Sequence, residues 1–362
     1  MTRYAEHRAL ARSLGVDAVA LVPGPNFVRL MKQDFHSHER PLVLVIPADG
    51  PVAAIVPNLE LASFALLGFE GEVFDWRDQV GYADAFAALA RHLPLRSLAV
   101  EGQVMRVFVH HALMAAYPGL TIIDAERAIS GLRLRKTPDE IAAMEGAIRI
   151  SEAALEDVLA EVRAGQTERQ IESRLVQALF HHGASELAFG PIVAAGENSA
   201  LPHAHARDVP VRAGDALLFD WGARHGGFCA DITRTVFVGH AADEAHQVYE
   251  TVLAANLRAH AITRPGLTAH DIDDAVTGVL EASPFADRIR TKTGHGLGRE
   301  VHEGPYIMRG NPQVLEPGMV FTNEPGLYKV GRFGVRIEDD MLVTEDGNRS
   351  LTQMPKALQI VG

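Results

Sequence analysis

Four carboxylates and one imidazole, Asp220, Asp231, Glu324, Glu338 and His295, each stand in a short Gly-rich or strand-like context. Left without counter-ions the acids would repel one another, whereas their combined charge of about −4 matches two divalent cations. A water shared by such cations loses its proton near neutral pH, so the set has the make-up of a two-metal hydrolase.

The first pair is placed by spacing. Asp220 closes the apolar run ALLFD, FCADITRTVFV (residues 228–238) reads as a second strand, and His225-Gly226 stands between them as a two-residue turn. Opposite positions in an antiparallel hairpin have a constant sum of residue numbers, and both Arg224 with Gly227 and Asp220 with Asp231 give 451. The spacing therefore predicts that the two aspartates face each other, with Cβ atoms about 4.5–5.5 Å apart. That suits ligands of metals about 3.5–4 Å apart. His295 lies in the glycine-flanked loop GHGLG, where missing side chains would let metal or substrate approach the backbone. Glu324 follows the apolar run MVFTN and precedes Pro325-Gly326, so a strand end presents it before a sharp turn. In GVRIEDD, alternation sets Arg336 and Glu338 on one face. Arg336 there is either an orienting partner of a ligand carboxylate or a surface residue. Cys229, two residues before Asp231, shares its face by alternation but is expected in the core.

LPHAH (residues 201–205), FDWGA, ADITRT, GHGLGREVHEGP, FTNEPGLY and GVRIEDD occur in this order across about residues 185–345. In this the chain resembles the proline-specific branch of the pita-bread metallopeptidases, the Xaa-Pro dipeptidases (prolidases) and aminopeptidases P. The resemblance implies that Asp220 chelates one metal, that His295 and Glu324 bind the other, and that Asp231 and Glu338 bridge the two. It further implies that His203 and His302 contact substrate and stabilise the tetrahedral intermediate, with Arg336 in support. Glu324 is the candidate to take a proton from water and pass it to the leaving nitrogen. With no thiolate in the set, Mn²⁺ or Co²⁺ is expected before zinc.

The elements that must carry these residues fall into two parts. Residues 17–22, 42–46, 52–56, 97–100 and 121–123 read as strands, and 4–14, 82–92 and 105–116 have helical periodicity. VPGPN (residues 22–26) reads as a turn. The expected N-terminal α/β domain covers residues 1–130 and the catalytic domain 131–362. Thr137-Pro138-Asp139-Glu140 is a helix start, opening a helix to about Arg163, and Thr167 to Gln170 starts the next. Further helices are expected near residues 243–262 and 269–282. Helices alternating with ligand-bearing strands suit a curved antiparallel sheet backed by helices. The resemblance implies this α+β pita-bread architecture, preceded by a creatinase-like domain.

Composition narrows the partners. A net charge of −12 without a Lys/Arg block argues against nucleic acid or an anionic membrane as partner. No run approaches the ~18 apolar residues of a membrane span. One cysteine excludes an internal disulfide, and the charged start MTRYAEHRALARSLG lacks a signal-peptide core, so a cytoplasmic enzyme is expected. The family's N-terminal domain commonly contributes to oligomers, and a homodimer is expected. A dipeptidase must also read the carboxylate that follows proline, which requires a fixed cation. Arg40, in the polar loop QDFHSHER (residues 33–40), is the candidate. The preferred reading is a prolidase, with aminopeptidase P as the alternative. Methionine aminopeptidases usually lack so large an N-terminal domain. Creatinase-like enzymes and non-enzymatic pita-bread proteins lose ligands that this chain keeps.

Overall fold

Short runs rich in Ala, Val, Ile and Leu build the first unit of the chain, Met1–Arg133, around a sheet covered on both sides. In the computed structural model, which describes residues 3–35 and 38–362, its strands are β1 (Ala18–Leu21), β2 (Val43–Pro47), β3 (Ala53–Pro57), β4 (Glu72–Trp76), β5 (Ser97–Val100) and β6 (Thr121–Asp124). They are ordered β4-β3-β2-β1-β5-β6. The β1–β2 and β2–β3 pairs are antiparallel, and the rest are parallel. Alternation sends Val19, Leu21, Leu44 and Ile46 into one core, and Ala18, Ala20, Val43 and Val45 into another. A sheet buried on both faces reads as continuous apolar runs for this reason.

Several elements of this unit depart from the expectation, among them the short helices Leu61–Ala65 and Glu126–Ser130, which the sequence reading left out. VPGPN is not merely a turn, because Pro25 opens the helix Pro25–Met31 at the position where a missing N–H costs nothing. Strand β4 has no counterpart in the sequence reading; it is an edge strand in which only Trp76 is fully buried.

The helix Ala5–Leu14 buries His7 to 1% exposure, and neither ring nitrogen has a hydrogen-bond partner among the described residues. Burial first, and then the Arg29 charge, lower its pKa to about 4. The folded pKa lies below the ordinary value of about 6.5, so protonation favours the unfolded chain. This contribution is intact above pH ~6.5 and is lost as pH falls toward ~4. Urea midpoints at pH 7 and pH 4 are expected to differ less in His7→Leu than in the wild type.

The second unit, Leu134–Gly362, contains two larger sheets, antiparallel but for the parallel pairing of Ile360–Val361 with Ile232–Val238, and each is backed by a helix pair. Pro138–Glu161 and Glu168–His181 start at Thr137 and Thr167, and both threonines make reciprocal capping boxes. Their apolar faces pack with Leu217, Phe219 and Trp221 of the strand Ala216–Trp221. That strand lies between Ile192–Ala195 and Ile232–Val238. Asp243–Ile262 and Ala269–Glu281 pack in the same way against the second sheet, sharing a core with Phe321 and Met341. This sheet runs Glu303–Ile307, Gly294–Gly296, Val320–Asn323, Asp339–Val343 and Asn348–Ser350. Among the described residues no helix is long and apolar enough to cross a membrane.

Candidate active site

Asp220 lies one residue from the end of its strand, and its opposite position on Ile232–Val238 is Thr233, not Asp231. The turn accounts for the difference. Gly226 and Gly227 carry it with φ of 58° and 79°, so His225 pairs with Phe228 and the constant sum is 453 rather than 451. Two positive φ values in succession fit the turn type that the twist of a hairpin prefers. A shift of two keeps every side chain on its face. Asp220 and Asp231 are therefore diagonal neighbours, and together with Glu338 they bring carboxylate oxygens within 4.8 Å of one another.

His295 sits in the strand Gly294–Gly296, not in a loop, and its flanking glycines serve the backbone. A Cβ on Gly294 would stand 1.8 Å from the Thr322 carbonyl oxygen, and one on Gly296 the same distance from that of Gly304. No other residue allows neighbouring strands to approach so closely. Glu324 directly follows Val320–Asn323, and its N–H donates to the Thr293 carbonyl at 2.8 Å. His295, Glu324 and Glu338 form a second group within 4.8 Å.

The acidic run Glu338-Asp339-Asp340 is wholly buried, and each carboxylate has its own task. Glu338 faces the pocket and accepts from Thr233 Oγ1 at 2.5 Å. Asp340 accepts from the backbone N–H of Asp231 at 3.2 Å and so holds that residue's main chain. Asp339 accepts from Arg234 at 2.9 Å and Lys356 at 2.7 Å, with His260 at 3.0 Å. Burial would raise its pKa, but Arg234, His260 and Lys356 outweigh that and hold it well below the usual carboxylate range. Arg234 also donates to the Glu338 carbonyl oxygen, which ties this ion cluster to the pocket. Asp339→Ala would leave the buried Arg234 and the half-buried Lys356 without their carboxylate and is expected to lower unfolding stability by about 3 kcal/mol, read by urea titration.

The electrostatics call for positive charge. Burial first, then Glu338, Asp220 and Glu324, push the Asp231 carboxyl well above its usual range. Glu338 is driven the same way by burial, Glu324 and Asp220. Asp220 is raised by burial despite Arg336, and its Oδ1 is buried with no hydrogen-bond partner among the described residues. His295 Nδ1 lies 3.0 Å from the Gly296 carbonyl oxygen, which can only accept, so Nδ1 carries the hydrogen. Its Nε2 then faces Glu324 at 3.2 Å and Asp231 at 3.7 Å. An imidazole lone pair, an unpartnered carboxylate oxygen and crowded acids converging on one pocket fit divalent cations. Oxygen and nitrogen donors without sulfur suit a hard or borderline ion. Cys229 is buried in the core, its pKa pushed up to about 12 by burial, and belongs to none of these groups.

The remaining candidates separate clearly. Arg336 is buried rather than on the surface, donating to Thr233 at 2.9 Å, to Tyr328 at 2.9 Å and to Asp220. His203 and His302 line the pocket, and the His302 ring lies 3.9 Å from that of His295. Burial in the pocket first, and then neighbouring positive charge such as that of Lys292, lower His302 to about 4, leaving it neutral at physiological pH. Phe189 and Ile192 also line the pocket, together with Pro202 and Val301. Arg40 belongs to the first unit, where Asp78 accepts from its Nε and Nη2 at 3.0 and 2.8 Å. His36 and Ser37 of its loop lie outside the described residues. Thr233, Tyr328 and Lys292 have no place in the sequence reading. Alternation from Asp231 would have reached Thr233, but no spacing rule points to Lys292.

Comparison with known proteins adds a family to this geometry. Residues 142–345 match the model for "Metallopeptidase family M24", and residues 3–135 that for "Creatinase/Prolidase N-terminal domain". A Mycobacterium tuberculosis protein named "Probable dipeptidase PepE" is 35% identical over 99% of this chain and 96% of its own length. The solved prolidase from Thermococcus sibiricus superposes with a TM-score of 0.93 at 33% identity, covering 99% of this chain and 98% of its own. An Xaa-Pro dipeptidase from Bacillus anthracis gives 0.91 at 30% identity, with 99% of both chains covered.

Proposed function

The chain belongs to metallopeptidase family M24 and carries the creatinase/prolidase N-terminal domain, and on that premise we propose that it cleaves Xaa-Pro bonds, preferentially in dipeptides, at a centre of two divalent ions. That it is a metallopeptidase follows from the family. The observation that carries the two-ion reading is the convergence of Asp220, Asp231, His295, Glu324 and Glu338 on one pocket with His295 Nε2 and Asp220 Oδ1 left to face it. Proline specificity is taken from the named relatives, and the pocket suits it. Its volume of about 380 Å³ is at the small end of the ~300–1,000 Å³ usual for small-molecule sites. Phe189, Ile192, Pro202 and Val301 offer apolar walls to a ring.

Asp220 would hold one ion and His295 and Glu324 the other, with Glu338 and Asp231 serving both, since Glu338 is grouped with each set and Asp231 is grouped with Asp220 and, in a third set, with His295 and His302. Bound there, the ions would supply Lewis acidity, polarising a peptide carbonyl and acidifying a water beside it. The protein's own groups do the rest. Burial would raise the Glu324 carboxyl, but neighbouring positive charge, Arg336 and Lys292 included, outweighs it and holds the pKa below the usual value, so Glu324 stays ionised. It accepts the proton of the attacking water and returns it to the nitrogen as the carbon–nitrogen bond breaks. Proline makes that return necessary, since its amide nitrogen carries no hydrogen. His203 and His302, both at the pocket, donate to the oxyanion. Arg336 binds no substrate in this scheme; through Thr233 and Asp220 it fixes the carboxylates.

The test is turnover of alanyl-proline, alanyl-prolyl-alanine and methionyl-alanine by protein reconstituted with Mn²⁺, Co²⁺ or Zn²⁺, with metal content by elemental analysis. The expected result is fastest cleavage of alanyl-proline, with two ions per chain. Preference for the tripeptide would make the enzyme an aminopeptidase P, and preference for methionyl-alanine would overturn the proline reading. A homodimer is the expected assembly, checked by light scattering.

A further inference from the structure

A peptidase confined to dipeptides must recognise the carboxylate that ends its substrate. Three covalent bonds separate the scissile carbonyl carbon from that carboxylate carbon, so the cation that reads it belongs in the same pocket as the catalytic acids. Two cationic side chains line this pocket, Arg336 and Lys292. Every nitrogen of the Arg336 guanidinium is engaged, Nε by Thr233, Nη1 by Tyr328 and Nη2 by Asp220. Arg40, the cation suggested by the sequence, is spanned by Asp78 within its own unit.

The geometry points to Lys292 as the residue that binds the C-terminal carboxylate of the substrate and thereby sets its length. This rests on the dipeptidase reading above. Lys292 is exposed at the pocket and makes no hydrogen bond or ion pair with any described residue. Its Nζ lies 5.9 Å from the ring centroid of Tyr306, within reach of a cation–π contact that steadies the ammonium while leaving its hydrogens available. The next residue is fixed on both sides, Thr293 N–H donating to Asp273 at 2.8 Å and its carbonyl accepting from Glu324 N–H at 2.8 Å. The stem of Lys292 is thus anchored to the backbone that presents Glu324. A carboxylate held by Lys292 would place the preceding amide beside that acid. A chain continuing past proline offers a neutral amide there and loses the charge-assisted bond.

The experiment compares wild type, Lys292→Met and Lys292→Arg, all reconstituted with Mn²⁺ and matched for metal content. KM is measured for alanyl-proline and for alanyl-prolinamide, which lacks the carboxylate. Binding of proline and prolinamide is measured by calorimetry, which requires no turnover. The wild type is expected to favour the charged member of each pair. Lys292→Met is expected to raise KM for alanyl-proline about tenfold to a hundredfold and to collapse both preferences. Lys292→Arg is expected to restore most of the loss. Preferences that persist in Lys292→Met, or that are absent from the wild type, overturn the assignment. If the wild type cleaves alanyl-alanine but not alanyl-proline, the proline reading has failed. The same comparison with alanyl-alanine and its amide then decides the role of Lys292 independently.

Discussion

Glu324→Gln is expected to lower kcat on alanyl-proline by a factor on the order of 10³–10⁴, with the protein folded and still able to take up metal. Glutamine keeps the size of the side chain and one oxygen for Thr322, whose Oγ1 donates to Glu324 at 3.1 Å. It replaces the other oxygen by a group that donates hydrogens and cannot accept one. Both halves of the proposed proton transfer fail together, removal from water and delivery to the proline nitrogen. Because the same carboxylate is a candidate ligand, metal content must be measured beside kcat. A variant saturated with Mn²⁺ yet slow isolates the proton transfer, whereas kcat within tenfold of wild type at full metal load would remove Glu324 from the base role.

What could be read from the sequence divides by the distance over which each feature is decided. Local signals carried far: the capping boxes at Thr137 and Thr167 start their helices where the residue types require. The hairpin was legible in its purpose but not its register. GG and HG are both acceptable turn pairs by composition, and only the pairing of His225 with Phe228 selects Gly226-Gly227. The two-residue slip is harmless to the site because it conserves side-chain face. The acidic run was legible only at Glu338, since Asp339 and Asp340 look solvated until partners more than a hundred residues earlier, Arg234 and Asp231, come to meet them. Strand order in the first unit was closed to sequence: β1 takes as neighbours both β2 and β5, the latter about 80 residues away. Lys292 was invisible for the same reason, as its significance lies in what shares its pocket and in the absence of a partner there.

Removing the metal with a chelator is expected to abolish turnover and to lower Tm by on the order of 10 °C, because ions that bind only the folded chain stabilise it by mass action. The acids explain the direction. Without cations, Asp231 and Glu338 have folded-state pKa values well above those of an unfolded chain, first through burial and then through the carboxylates around them, Asp220 and Glu324 acting on both. A carboxyl raised in this way stabilises the fold while protonated, and that contribution is lost as pH rises out of the usual carboxylate range. The chelated protein should therefore grow less stable from pH 5 to pH 8, whereas the loaded protein should not. Asp231→Asn separates the ligand from the liability. Asparagine removes one of the crowded charges, so the chelated variant is expected to melt above the chelated wild type, to gain little Tm on adding Mn²⁺ and to be inactive. A chelated wild type that melts with the loaded protein would contradict the two-ion centre. So would an Asp231→Asn protein that still gains its full Tm increment with Mn²⁺.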